Sequence, residues 1–259
     1  MPRWFKLIIT YLDFGILVGY IFFIIAPLAR IYAWFGDNER VRYRLHRHIR
    51  RFCRFYTFHC VTGVNPTLRN PYGETFKKPA FIIANHQSLL DLPATLMLTN
   101  RLIVMAGQWV WDSKIYGHVV RFADFFPATM PMDEMLAHIE KCMKRGYSVL
   151  VFPEGTRSED CQIHKFRRGA FHLAERLKCD IVPVTIFGTG YLLPKRDFCL
   201  NPGPECIEIG KRVSFDEGIM GQTRGEMTRY WHKWFVENYA KLEKEFLPLV
   251  KKGLQANPS

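Results

Sequence analysis

The stretch KPAFIIANHQSLLD, residues 78–91, decides how this chain folds. Its apolar run Phe81-Ile82-Ile83 has the length of a strand, and it ends on Asn85-His86 with Asp91 five positions beyond the histidine. Packing gives a buried strand no reason to end on Asn-His. A second stretch, YSVLVFPEGTR at 147–157, repeats the pattern: an apolar run reaches Pro153 and then delivers Glu154, Gly155, Thr156 and Arg157. Parallel sheets that are covered on both faces read as short, continuous apolar runs, and their chemistry collects beyond the carboxyl ends of the strands.

The rest of the chain from residue 57 fits that frame. Strands are expected at 57–63, 80–85, 101–106, 147–152, 181–187 and 205–209, and helices at 88–98, 113–122, 132–145, 167–178 and 223–250. The alternation predicts an α/β domain over 57–251, a mostly parallel sheet flanked by helices, followed by a frayed tail at 252–259.

Residues 1–56 read differently. LIITYLDFGILVGYIFFIIAPLA, residues 7–29, is long and apolar enough to cross a bilayer. It is too long for the apolar part of a signal peptide, which is the competing reading. Asp13, Gly15, Gly19 and Pro27 interrupt it, so a helix that dips into one leaflet stays open. NERVRYRLHRHIRRFCRFY follows at 38–56. There Val41, Leu45, Ile49, Phe52 and Tyr56 share one helical stripe and arginines fill the remainder. A basic amphipathic helix after a hydrophobic anchor suits an anionic leaflet, and positive flanking charge places it on the cytoplasmic side. A solvated basic helix packed on the domain is the alternative.

Composition is consistent with this organisation. The chain has 259 residues, is 48% hydrophobic and carries a net charge of +12, which points to an anionic partner. No nucleic-acid recognition motif accompanies that charge, so membrane lipid or a phosphorylated substrate is the expected partner. Seven cysteines without Cys-x-x-Cys spacing argue against a disulfide framework or a zinc site.

At the first stretch, a carboxylate at Asp91 can accept the Nδ1 proton of His86 and leave Nε2 as a base. Taken alone, the pair reads equally as a helix-capping aspartate and an incidental histidine. Ser88 reads as a helix cap, because no nucleophile elbow surrounds it. At the second stretch, glycine, backbone N–H groups and Arg157 suit an anion cradle, with an ordinary turn as the plain alternative.

Together, NHQSLLD and FPEGTRS resemble the His-x4-Asp motif and the third motif of the glycerolipid acyltransferase family. IVPVTIFG (181–188), with Pro183, is similar to its fourth motif, and KFRRGAFHLA (165–174) resembles the segment between the two. The resemblance covers residues 57–213. It implies that His86 is the general base on an acceptor hydroxyl and that Asp91 orients it. It implies that Glu154, Gly155, Thr156 and Arg157 bind the acceptor and that Pro183 shapes the donor side. The donor would be acyl-CoA or acyl carrier protein, with no metal and no bound cofactor. The second motif departs from the pattern: in MAGQWVWDSKIYGHVVRFADFFPATM (105–130), Gly107 and Gln108 stand where a basic pair is usual. A lysophospholipid such as 1-acylglycerol-3-phosphate is the expected acceptor, and a non-phosphate lysolipid is the alternative on that ground. A non-catalytic protein of the membrane surface is the reading from another class.

Overall fold

The computed structural model of the chain describes residues 2–34, 38–114 and 117–256. Helices α1 (Arg3–Tyr20) and α2 (Ala26–Trp34) run on from one another through a π-helical turn at Ile21–Ile25. Pro27 has no N–H to give the preceding turn, and the helix widens just before it. Helix α3 (Glu39–Phe55) starts at Asn38, whose side chain accepts the Arg40 N–H at 2.9 Å, and continues through a second π-helical turn at Tyr56–Cys60.

No strand forms at 57–60, where the sequence pattern predicts one. The alternation Thr57-Phe58-His59-Cys60-Val61 imitates a strand, but Tyr56 and Thr57 are buried in helical backbone. The chain turns at Gly63, whose φ of 76° suits glycine, and only then enters β1 (Val64–Arg69). The expected division between residues 56 and 57 thus falls inside one continuous helical run.

Beyond β1 the order is β2 (Phe81–Ala84), α4 (Asp91–Leu96), β3 (Leu102–Ala106), α5 (Gln108–Trp111) and α6 (Gly117–Phe122). The chain then forms β4 (Phe126–Pro127), α7 (Met132–Lys144), β5 (Ser148–Val151), α8 (Arg168–Leu177) and β6 (Ile181–Phe187). Last come α9 (Thr189–Leu192), β7 (Gly203–Ile209) and α10 (Arg224–Ala256). Helix α10 carries Pro248 inside it and extends through Ala256, so residues 252–256, read as tail, are helical. The rest of that tail, 257–259, lies outside the described residues, as do 115 and 116 of the helix expected at 113–122.

One seven-stranded sheet has the order β1-β7-β6-β2-β5-β3-β4. Every neighbouring pair is parallel except β6 with β7, which is antiparallel. The central strands β2, β5 and β6 are buried at every position, as their unbroken apolar sequences require. β1 carries Pro66 and lies at the sheet edge, where a missing N–H is tolerated. Because β6, β2 and β5 are adjacent and parallel, the loops after Ala84, Val151 and Phe187 converge above the middle of the sheet.

The N-terminal helices share the core of this domain. Ile25, Ala26, Ala29, Leu45 and Cys53 are buried in the same cluster as the central strands. The buried stripe of α1 is polar: Lys6, Thr10 and Asp13 face the domain. Asp13 accepts the backbone N–H and the hydroxyl of Thr62 at 2.8 and 3.0 Å, and the Thr10 hydroxyl accepts the Leu200 N–H at 2.8 Å. Trp4, Ile8, Leu12, Phe22, Phe23 and Ile24 are exposed. Asp13, which interrupts the sequence as an ideal bilayer span, is a docking group.

Candidate active site

His86 enters the site two residues after β2 ends, and Asp91 opens α4. His86 Nδ1 lies 2.8 Å from Asp91 Oδ2. That oxygen also accepts the backbone N–H groups of Gln87 and Ser88 at 2.6 and 2.8 Å, while Oδ1 accepts the Thr189 hydroxyl at 2.6 Å. Asp91 is fully buried, so these four donors replace the water it has lost. The His86 side chain keeps 21% of its surface exposed, and among the described residues its Nε2 has no hydrogen-bond partner.

The imidazole is held from every other side. Its ring stacks on Phe152, the first residue beyond β5, at 4.2 Å between centroids. Its backbone N–H donates to Glu154 Oε1 at 2.8 Å, and its carbonyl accepts the Ser158 N–H at 2.8 Å. Glu154 Oε2 accepts the His164 N–H at 3.2 Å, so this carboxylate ties the loop after β2 to the loop after β5. Burial pushes Glu154 up to about 7, against the lowering effect of those two N–H groups. Asn85 exchanges two hydrogen bonds of 2.8 Å with the Ile186 backbone and fastens the same loop to β6.

Ser88 is not a helix cap. Its hydroxyl is buried, donates to the Leu193 carbonyl at 2.9 Å and accepts the Leu90 N–H at 3.3 Å; Leu90, not Ser88, is the residue that caps the helix. That tether also removes Ser88 as a nucleophile.

Glu154, Thr156 and Arg157 border a cavity of 1260 Å³, which Lys165, Arg167, Arg168, Lys195 and Arg229 also line. Gly155 makes the close approach possible. Its φ is 70°, and a Cβ there would lie 2.6 Å from Arg167 Nε. The acids of the cavity wall are engaged: Glu159 pairs with Lys195 and Arg196, and Asp160 with His164. Among the described residues, Arg157, Lys165, Arg167 and Arg168 form no ion pair. The lining of the cavity therefore carries cations in excess.

Pro183 stands apart from this grouping. It pairs in register with Ile83 inside the sheet and lines no part of the cavity; its position immediately precedes the β6–β7 ladder, which begins at Val184. The second motif also brings none of Gln108, Lys114 and Arg121 to the cavity lining. Gln108 bonds to Asp112 and Thr129, Lys114 is exposed, and Arg121 donates to the Trp111 carbonyl at 2.9 Å. Thr189 and Phe152 belong to the site without having been singled out in the sequence. Thr189 had a signal, since it follows IVPVTIFG directly.

A model of the acyltransferase family matches residues 58–187, half of the chain, and this segment contains His86, Asp91 and the Glu154–Arg157 loop. A 1-acyl-sn-glycerol-3-phosphate acyltransferase of Chlamydomonas reinhardtii is 34% identical over 150 residues, 52% of this chain and 42% of that protein. A protein of the same description from Pseudomonas aeruginosa is 25% identical over 251 residues, 93% of this chain and 90% of its own length. The chain spans less than half the length of the Chlamydomonas relative and of an Arabidopsis thaliana chloroplastic relative, of which it covers 39%. In fold it is similar to the crystal structure of the 1-acyl-sn-glycerophosphate acyltransferase PlsC from Thermotoga maritima. The TM-score is 0.77 and the identity 22%, over 94% of this chain and 99% of that one. A mostly parallel sheet, a histidine–aspartate pair at its carboxyl end and a family match over that same segment lead to one statement: this chain belongs to the acyltransferase family.

Proposed function

We propose that the protein is a membrane-associated O-acyltransferase. It moves a fatty acyl group from an acyl thioester, on coenzyme A or acyl carrier protein, to the free hydroxyl of a lysophospholipid of the 1-acylglycerol-3-phosphate class. The observation that carries this reading is the 2.8 Å His86–Asp91 contact with Nε2 left open to solvent. Nε2 takes the proton of the acceptor hydroxyl as its oxygen adds to the thioester carbonyl. The tetrahedral adduct then collapses, the carbon–sulfur bond breaks, and the leaving thiolate takes the proton back from the imidazolium. Asp91 fixes the tautomer and stabilises the imidazolium between the two steps. No residue of the chain is acylated.

The basic cavity supports a phosphorylated acceptor. The second motif brings no cation to it, but Arg157, Lys165, Arg167 and Arg168 supply the charge from other segments. The names of the relatives agree with that acceptor. Membrane association rests on α1 and α2, whose outer face is apolar while the polar stripe of α1 is docked on the domain, the arrangement of a helix lying in one leaflet. Catalysis on the cytoplasmic face follows from the arginines of α3.

The test uses the full chain, vesicles containing 1-acylglycerol-3-phosphate or a lyso-amino-acid lipid, and labelled acyl-CoA or acyl carrier protein. Transfer to the phosphate lipid that H86A abolishes is the expected result. Absence of transfer from wild type to either lipid with either donor refutes the reading.

A further inference from the structure

The outer side of the N-terminal helices carries a groove of 490 Å³ between α1 and α3, lined by Gly15, Ile16, Gly19, Phe23, Phe52 and Phe55 among others. No residue of the His86 site borders it. The two helices are joined there by the stacked rings of Tyr20 and Phe52, with centroids 3.7 Å apart and planes 3° apart.

Packing within the chain does not account for the two glycines. Glycine is the poorest helix former after proline. Yet a Cβ at Gly15 would meet nothing within 4 Å, and one at Gly19 would meet only Phe23, at 4.0 Å. They leave room that no part of the described chain fills. The lining is apolar, and the exposed face around it, with Leu12, Phe22 and Ile24, is apolar as well. An occupant that suits both is a hydrocarbon chain from a lipid phase.

Charge at the rim selects the lipid. Arg40, Arg44, Arg47, Arg51 and Arg54 are all exposed and fall on one helical row of α3, whereas Arg50 turns inward to the Met97 carbonyl. Arg51 lies one helical turn before Phe55 and Arg54 directly precedes it; neither forms an ion pair among the described residues, although the Arg54 guanidinium lies 5.4 Å over the Phe58 ring. Arg51 is close enough to the Tyr20 phenol to act on it electrostatically. A guanidinium fork matches a phosphodiester, whereas a second apolar helix in the groove would offer neither cation a counter-ion.

We propose that this groove binds one anionic glycerophospholipid, with an acyl chain lying over Gly15 and Gly19 and its phosphate held by Arg51 and Arg54. The site extends the membrane association proposed above, and its test does not use transfer activity.

The experiment incubates the full chain with vesicles carrying a photoactivatable phosphatidylglycerol or phosphatidylcholine, labelled in the acyl chain, and maps the adducts by peptide. The expected result is phosphatidylglycerol label on the peptides of residues 15–24 and 52–55. G15L with G19L fills the open space and should remove that label while the melting temperature is kept. R51Q with R54Q should lower it about tenfold, and R40Q with R44Q, at the far end of the row, by less than about threefold. Equal labelling by phosphatidylcholine, or equal losses from the two arginine pairs, overturns the proposal in favour of diffuse attraction. Cross-links between two copies through these peptides overturn it in favour of a dimer. If the protein fails to bind vesicles at all, the membrane reading falls with it.

Discussion

Asp91 at the carboxyl end of the sheet and Asp13 in the first helix are both withdrawn from water and both saturated, the former by four donors and the latter by the two of Thr62. Their surroundings differ. Asp91 lies within electrostatic reach of the buried Glu205 on β7 and faces an imidazole whose outer nitrogen is open among the described residues. Asp13 belongs to a polar stripe turned inward, with apolar side chains of the same helix turned outward. A buried carboxylate is thus uninformative by itself. What it orients, and which solvent its element faces, assign it to chemistry in one region and to docking in the other.

The strongest way to break that contrast is at the site itself. H86A should lower transfer about 10²–10⁴-fold without moving vesicle binding or the melting temperature. D91N should be similarly impaired, because an amide that donates to Nδ1 selects the wrong tautomer. Transfer rates beside vesicle co-sedimentation check both; activity within threefold of wild type removes the assignment of His86. Next, R157A should raise the acceptor Michaelis constant by roughly ten- to hundredfold, the worth of a charge-assisted bond of about 1.5–3 kcal/mol, and the donor constant little. Steady-state kinetics with each substrate varied in turn would show the reverse pattern if Arg157 served the donor.

The docking region has its own pair. D13L removes the acceptor of both the Thr62 N–H and its hydroxyl and should destabilise the fold by about 1–3 kcal/mol. F23D on the exposed face should leave denaturation unchanged and weaken vesicle binding. Equal stability of the two variants would mean that the polar stripe does not dock α1.

The smallest effect concerns pH. Burial pushes Glu205 on β7 up to about 8 and Glu154 up to about 7. Both values lie above those of the unfolded chain, so each glutamate favours the fold most below about pH 4.5. That contribution declines as pH rises to about 7 for Glu154 and about 8 for Glu205, by at most about 1.4 kcal/mol per pH unit each. Among the described residues Glu205 Oε1 has no hydrogen-bond partner, so E205Q should flatten the loss of stability between about pH 5 and about pH 8. Denaturant midpoints across that range check it; an unchanged slope would mean that Glu205 does not titrate there.

The legible parts of the molecule are those written in contiguous residues. FIIA, SVLV and IVPVTIF are buried runs, and the fold followed from them; His86, Asp91 and Glu154–Arg157 lie in the loops that those runs feed. What was hidden depends on distance along the chain. Thr189 meets Asp91 across 98 positions, and Arg167 reaches Gly155 only because that loop folds back. The segment 57–60 misled because an alternating pattern fits a strand, while the packing of Tyr56 and Thr57 holds a helix there. Asp13 looked like damage to an anchor because its partner, Thr62, belongs to another element.

The contact between Thr10 and Leu200 also sets an order of events. The two residues are 190 positions apart, so at about 5–20 residues per second the first helix waits on the order of 10–40 s for the loop that completes its docking. Asp13 can meet Thr62 after only 49 positions, so through that interval the inward stripe is docked in part, while its outward apolar row is exposed. Under the membrane association proposed above, the nascent chain meets the bilayer first and its complete acyltransferase domain second. On that proposal anchoring begins before folding ends, and the domain completes itself on the surface it serves.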